Sequence, residues 1–247
     1  KGDIFQVVLS QRFEAKLTKS PLEIYKKLRI TNPSPFMYFI NFNDFQIIGT
    51  SPEILVRLRK NIITIRPIAG TRPRGLNAKK DAFYKQELLN DKKELSEHLM
   101  LLDLGRNDVG KVSKINSVKV TERFKVEKYS HVMHIVSNVE GKFNKKHSLL
   151  DTMLAGFPAG TVSGAPKIRA MEIIDELEKS KRKMYAGAIG YFSANQNFDT
   201  CIALRTALIK NNKFYIQSGA GIVADSIPEK EYLETINKAK ALINSLN

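Results

Sequence analysis

Two short carboxylate steps stand out in the 247-residue chain. Glu94 and Glu97 lie in Lys93-Glu94-Leu95-Ser96-Glu97-His98, and Glu231 and Glu234 in Glu231-Tyr232-Leu233-Glu234-Thr235. Each is an E-x-x-E step inside a helical pattern, so each projects two carboxylates from one helix face. Four such groups facing one another would repel unless a hard cation sat between them, and octahedral oxygen ligation suits Mg²⁺. Taken singly, such a step is more often a solvated face, its carboxylates paired with neighbours such as Lys93 and Lys238.

Other residues offer chemistry with an equally plain alternative. In Tyr129-Ser130-His131-Val132-Met133-His134, strand alternation groups His134 with Val132 and Val136 and puts 131, 133 and 135 on the opposite face. His134 is then either a satisfied core residue or a catalyst. Arg205 sits in an apolar strand pattern between Leu204 and Thr206; a buried guanidinium needs an anion, either an internal carboxylate or a bound one. Gly219-Ala220-Gly221, followed by Ala224, scans as the dinucleotide fingerprint G-x-G-x-x-A. No helix opens after it, and the 23 residues beyond Ala224 are too few for a βαβ unit. The expectation is a glycine turn, serving either as a tight turn with positive φ or as a backbone N–H cradle for a carboxylate. Gly160 to Lys167 lacks phosphate-loop spacing.

These residues need elements to hold them. Strand patterns occupy 4–13, 36–41, 45–49, 54–58, 62–66, 117–124, 131–139, 186–193, 200–209 and 213–218. Helices are expected from Ser20-Pro21 to Leu28, from Lys79 to Gly105, from Leu149 to Ala155, from Lys167 to Lys179 and from Pro228 onward. Pro67 to Gly75 and Phe157 to Pro166 read as loops, and Asn32-Pro33-Ser34-Pro35 as a rigid turn. Hairpin-clustered strands with few, long helices predict an α+β fold with mostly antiparallel sheet.

Composition narrows the partners. Apolar residues make up 43% of the chain, enough for a globular core. The net charge of +15 admits a polyanionic partner, but the lysines come in scattered pairs rather than a stripe interleaved with stacking aromatics, so no nucleic acid is expected. No apolar run reaches the roughly 18 residues that span a membrane, so no membrane is expected. A single cysteine, Cys201, excludes a disulfide framework and points to a reducing compartment. The opening Lys1-Gly2-Asp3, without Met, reads as that of a fragment.

Together these segments resemble the chorismate-utilising enzymes, and within them the synthase subunits that make anthranilate. The matching stretches are Gly2 to Ser10, Ser51-Pro52-Glu53, Pro67 to Gly75, Lys93 to Asp108, Tyr129 to His134, Gly160 to Lys167, Tyr185 to Tyr191, Asp199 to Arg205 and Gly219 to Ser226 with Glu231 and Glu234. The resemblance implies layered antiparallel sheets flanked by helices, with residues 1–247 forming one catalytic domain and an N-terminal regulatory region of relatives missing. It implies a cytoplasmic lyase of tryptophan biosynthesis. Ammonia adds to chorismate, pyruvate leaves, and the ring aromatises; the ammonia comes from a glutamine amidotransferase subunit. Mg²⁺ is the implied cofactor, with Glu97 and Glu234 as direct ligands and Glu94 and Glu231 acting through water. Glu53 matches the general acid and His134 the catalytic histidine. Arg205 and Tyr185 match the groups holding the enolpyruvyl carboxylate, near the amides of Gly219, Ala220 and Gly221; Gly70, Thr71 and Lys238 line the same pocket. Asn32, Pro33, Ser34, Pro35, Phe36 and Met37 resemble the tryptophan feedback segment. Gln6 stands where water-using relatives carry a lysine base, and Ala69 where enzymes making aminodeoxychorismate often carry lysine. Aminodeoxychorismate synthesis is the alternative within the family, and a non-catalytic basic binding module the alternative outside it.

Overall fold

The computed structural model describes residues 2–129 and 132–246. Ser130 and His131, part of the stretch leading to His134, lie outside the described residues. The chain folds as two compact units: residues 1–53, 162–189 and 201–247 form one, and 54–161 with 190–200 the other. Both combine antiparallel strands with helices, as the sequence predicts.

The first unit is built on a six-stranded sheet in the order β2 (Phe36–Phe42), β3 (Phe45–Ser51), β12 (Thr206–Lys210), β13 (Lys213–Ile222), β1 (Gln6–Lys16) and β9 (Gly164–Ala165). Its helices are α1 (Pro21–Thr31), α5 (Lys167–Leu177) and α6 (Pro228–Asn244). Ser20 caps α1 with a reciprocal Ser20–Glu23 capping box, and proline opens the first turn, which is why the helix begins there. Ile24 and Leu28 of α1, Phe214 of β13 and Ala239 and Leu242 of α6 are fully buried together. Each large side chain of this kind contributes about 1.5–3 kcal/mol when removed from water. A separate cluster packs Ala170 and Ile174 of α5 on Val7 of β1.

The second sheet runs β10 (Ala188–Phe192), β11 (Phe198–Ile202), β4 (Ile54–Arg59), β5 (Ile62–Ile65), β8 (Val132–Lys142), β6 (Ile68–Pro73), with β7 (Lys119–Lys128) also on β8. The helices here are α2 (Ala78–Asn90), α3 (Lys92–Val112) and α4 (Leu149–Ala155). Met133 and Ile135 of β8 are buried against Leu88 of α2, so the alternation predicted for this strand is the one found, with His134 on the other face.

Four expectations are corrected. The helix predicted over 79–105 is two helices: Asp91 leaves helical geometry and its carboxylate accepts from the N–H groups of Lys93 and Glu94, starting α3 afresh and carrying it to Val112. The predicted loop 67–75 contains β6, an edge strand that tolerates proline at its end. The single strand over 200–209 is two, β11 and β12, separated at Arg205, whose φ is 45°. The glycine turn at 219–221 is no turn. Gly219, Ala220 and Gly221 continue β13 and pair with Ser10, Leu9 and Val8 of β1.

Candidate active site

In the first unit, expected site residues gather around Gly219. Tyr185, 8% exposed, accepts a hydrogen bond at its phenol oxygen from the Gly219 N–H. A Cβ on Gly219 would lie 2.7 Å from the Leu9 carbonyl oxygen and 2.9 Å from Tyr185 Oη. Glycine is therefore required by close approach within a strand, not by an unusual φ. The other backbone group of Gly219 is used as well: Lys238 Nζ donates to its carbonyl at 2.9 Å and pairs with Glu234 Oε1 at 2.6 Å. Burial pushes the Tyr185 phenol up to about 12, so it remains a neutral hydroxyl across the physiological range. Burial pulls the Arg205 guanidinium down, while the charges of Glu53 and Tyr185 oppose that. An arginine starts so high that it stays cationic regardless. Glu53, 7% exposed, acts electrostatically on Arg205, which is itself half-buried.

Sequence reasoning missed what holds Tyr185 in place. Glu178 Oε1 accepts from both the N–H and the hydroxyl of Ser10, at 2.8 and 2.7 Å. Arg182 forks onto Glu178 and donates to the carbonyls of Val8 and Val162, both at 2.6 Å. Its guanidinium lies 5.4 Å from the Tyr185 ring centroid, within cation–π range. The pair sits in the charged run from Glu178 to Lys183, which reads as solvated surface, yet its side chains are only 7% and 16% exposed. Their i, i+4 spacing was the available signal.

In the second unit, His134 lies opposite Thr71 of β6 and Glu127 of β7. Its Nδ1 is 3.1 Å from the Gly70 carbonyl oxygen and 3.1 Å from the Thr71 hydroxyl. Gly70, at φ 64°, marks a register shift in β6, and this bulge turns its carbonyl toward the imidazole. Nearby, Arg72 ties together Glu87, Asp91 and Glu94 at 2.8, 2.7 and 3.2 Å. Burial pushes the Glu94 carboxyl up, and Arg72 pulls it back. Glu97 is half-buried on α3. His98 is fully buried, its Nε2 2.7 Å from Ser137 Oγ, and burial alone pulls its pKa down to about 4.

The carboxylates Glu94, Glu97, Glu231 and Glu234 are hard oxygen donors of the kind Mg²⁺ takes. Among the described residues no group of three or more His, Cys, Asp and Glu side chains is arranged to hold a metal ion. Glu94 pairs with Arg72 and Glu234 with Lys238. The donor chemistry fits the ion. Asn32 to Met37 follow α1, where Thr50 Oγ1 donates to the Asn32 carbonyl at 2.8 Å and Met37 pairs with Thr50 across β2 and β3. Gln6, 3% exposed, pairs with Ala165. Among the described residues no helix is long and apolar enough to cross a membrane.

Residues 1–244 match the family model described as chorismate binding enzyme. The chain is 62% identical over 241 residues to anthranilate synthase component 1 of Cereibacter sphaeroides, covering 98% of this chain and 48% of that protein. It superposes on anthranilate synthase component I from Streptococcus pneumoniae with a TM-score of 0.91 at 52% identity, covering 98% of this chain and 53% of the other. The menaquinone-specific isochorismate synthase of Escherichia coli gives 0.89 at 26% identity, covering 100% and 57%. The chain thus spans about half the length of the curated relatives it matches. With the family model matched from residue 1 to residue 244, the chain belongs to the chorismate-binding enzymes.

Proposed function

We propose that residues 1–247 form the catalytic domain of a Mg²⁺-dependent lyase that aminates chorismate and eliminates pyruvate to give anthranilate, opening tryptophan biosynthesis. The observation that carries this reading is the set of interactions that joins Tyr185 and Lys238 to Gly219, and Arg205 to Tyr185 and Glu53, in a chain so similar to an anthranilate synthase component. A cationic guanidinium and a neutral phenol suit an enolpyruvyl carboxylate. The phenol lies against Gly219 of β13. Glu53 is the acid that protonates the departing C4 hydroxyl while ammonia adds at C2. The ether C–O bond then breaks, pyruvate leaves and the ring aromatises. His134, with Gly70 and Thr71 at its Nδ1, is the proposed catalytic histidine.

Mg²⁺, when bound, supplies positive charge for the ring carboxylate of the substrate. Glu97 and Glu234 are its proposed ligands, with Glu94 and Glu231 acting through water. Ammonia is already a nucleophile, so Gln6 in place of a lysine base supports amination over hydration. Ala69 supports anthranilate over aminodeoxychorismate. The ammonia source is a glutamine amidotransferase subunit, the compartment is the cytoplasm, and Asn32 to Met37 contribute to a tryptophan feedback site. The test is incubation of the protein with chorismate, ammonium and Mg²⁺, with products separated and identified. Anthranilate and pyruvate in equal amounts are expected. Glu53→Gln, Glu97→Gln and Glu234→Gln are each expected to abolish turnover, the last two also weakening Mg²⁺ binding by calorimetry. A para-amino product, or no product, would overturn the proposal.

A further inference from the structure

His134 is held from two sides, and only one of them is its direct hydrogen bonding. A carbonyl oxygen can only accept, so the 3.1 Å contact between Gly70 O and His134 Nδ1 requires the proton on Nδ1. The Thr71 hydroxyl oxygen accepts from the same N–H at 3.1 Å. The opposite tautomer would set the Gly70 carbonyl against a nitrogen lone pair. In the neutral ring Nε2 therefore carries the lone pair.

The second support is an aromatic one. The Tyr129 ring meets the imidazole at 5.5 Å between centroids and 62° between planes, an edge-to-face contact. The far end of Tyr129 is anchored: its hydroxyl donates to Glu127 Oε2 at 3.0 Å. Glu127 Oε1 in turn accepts from Arg66 at 2.6 Å, and the same Arg66 nitrogen bonds Glu122 at 2.7 Å. Glu127 is also the residue directly opposite His134 in the β7–β8 ladder. Four side chains, two of them on the paired strands β7 and β8 and two just outside strands, thus form a line running from a doubly paired guanidinium to the imidazole ring.

We infer that Tyr129 is a positioning residue for His134. Its ring, pinned through Glu127 and Arg66, keeps the imidazole in the plane where Nδ1 reaches Gly70 and Nε2 holds the lone pair. This rests on the proposed catalytic role of His134, and the test separates the two. Tyr129→Phe keeps the ring and removes the anchor; Glu127→Gln weakens the anchor from the other end. The ¹⁵N shifts of the His134 ring nitrogens report the tautomer without any turnover. The wild-type protein is expected to show the Nδ1–H form alone, and both variants a mixture of the two forms. Under chorismate turnover, kcat is expected to fall five- to fiftyfold in both, with KM within about twofold. Glu122→Gln, which leaves Glu127 on Arg66, is expected to match wild type in both readouts. Variants that retain a single Nδ1–H form, or a wild-type protein with the Nε2–H form, would overturn the inference. Absence of anthranilate formation with the expected shift pattern intact would instead refute the proposed reaction and leave the tautomer assignment standing.

Discussion

Replacing Gly219 with alanine tests the geometry at the centre of the first unit. The added methyl would stand 2.7 Å from the Leu9 carbonyl oxygen, 2.9 Å from Tyr185 Oη and 3.2 Å from Ser10 Cβ. None of these can simply swing away. Leu9 and Ser10 belong to β1, paired with β13 over ten consecutive residue pairs, and Tyr185 is buried beside Arg182. Relief must come from spreading the ladder or moving the phenol. Overpacking of this kind costs about 1–3 kcal/mol. Breaking the Gly219–Tyr185 hydrogen bond adds about 0.5–1.5 kcal/mol. A total of about 2–4 kcal/mol corresponds to a fall in Tm of roughly 5–15 °C for a chain of this size. Thermal unfolding followed by circular dichroism is the assay. Gly110→Ala is the control: it lies inside α3 with no atom within 4 Å of the new Cβ, so it is expected to gain up to about 1 kcal/mol. Tyr185→Phe combined with Gly219→Ala is expected to cost less than the sum of the two single changes, because one of the clashing atoms is gone. A Gly219→Ala protein as stable as the wild type would refute the close-approach argument.

Three further outcomes are expected. Burial raises the Tyr185 pKa from the ordinary tyrosine value of about 10 to about 12 in the folded protein. The unfolded chain therefore ionises first, and stability present below pH 10 declines as pH rises to about 12, by about 2–3 kcal/mol; Tyr185→Phe should flatten that stretch of an unfolding-versus-pH curve. Arg72→Lys replaces a fork reaching three carboxylates with a group that satisfies one, and is expected to cost about 1–2 kcal/mol by denaturant unfolding; an unchanged midpoint would show the network to be ornamental. Gln6→Lys is expected to admit water as a nucleophile and yield isochorismate in ammonia-free buffer, detected chromatographically; isochorismate from the wild-type protein under the same conditions would contradict the role assigned to Gln6.

Helix starts were legible because their signals are local. Ser20 with Glu23, Ser148 with Asp151 and Pro228 each announce a first turn within four residues, and the helices begin where those residues place them. The break at Asp91 was legible too, but outvoted: Asp91 and Glu94 have capping spacing, yet helical periodicity runs on both sides and hides the interruption. Glycine misled in two places. Between Pro67 and Gly75 it signalled a loop where the chain forms a bulged strand, and at 219–221 a turn where the chain continues a ladder. In both cases glycine serves an approach from another segment: a carbonyl turned toward His134, or a phenol brought against a backbone N–H.

Residue types at the site were readable, and their attachments were not, for one physical reason. A helix fixes which residues are neighbours through its own period, so E-x-x-E declares a two-carboxylate face from the sequence alone. A sheet makes neighbours of residues separated by any number of positions. Ser10 meets Glu178 across 168 residues, and Arg66 meets Glu127 across 61. No spacing rule foretells such pairs, because register is set by the burial of whole strands. The charged residues that position Tyr185 and His134 consequently look, in one dimension, like the lysine-rich surface around them. Their distinguishing property is burial, which only the fold confers: Glu178 and Arg182 are nearly enclosed while Lys181 beside them is 79% exposed. In this chain the groups proposed for the chemistry sit in recognisable motifs, and the groups that hold them still are dispersed among ordinary-looking charges.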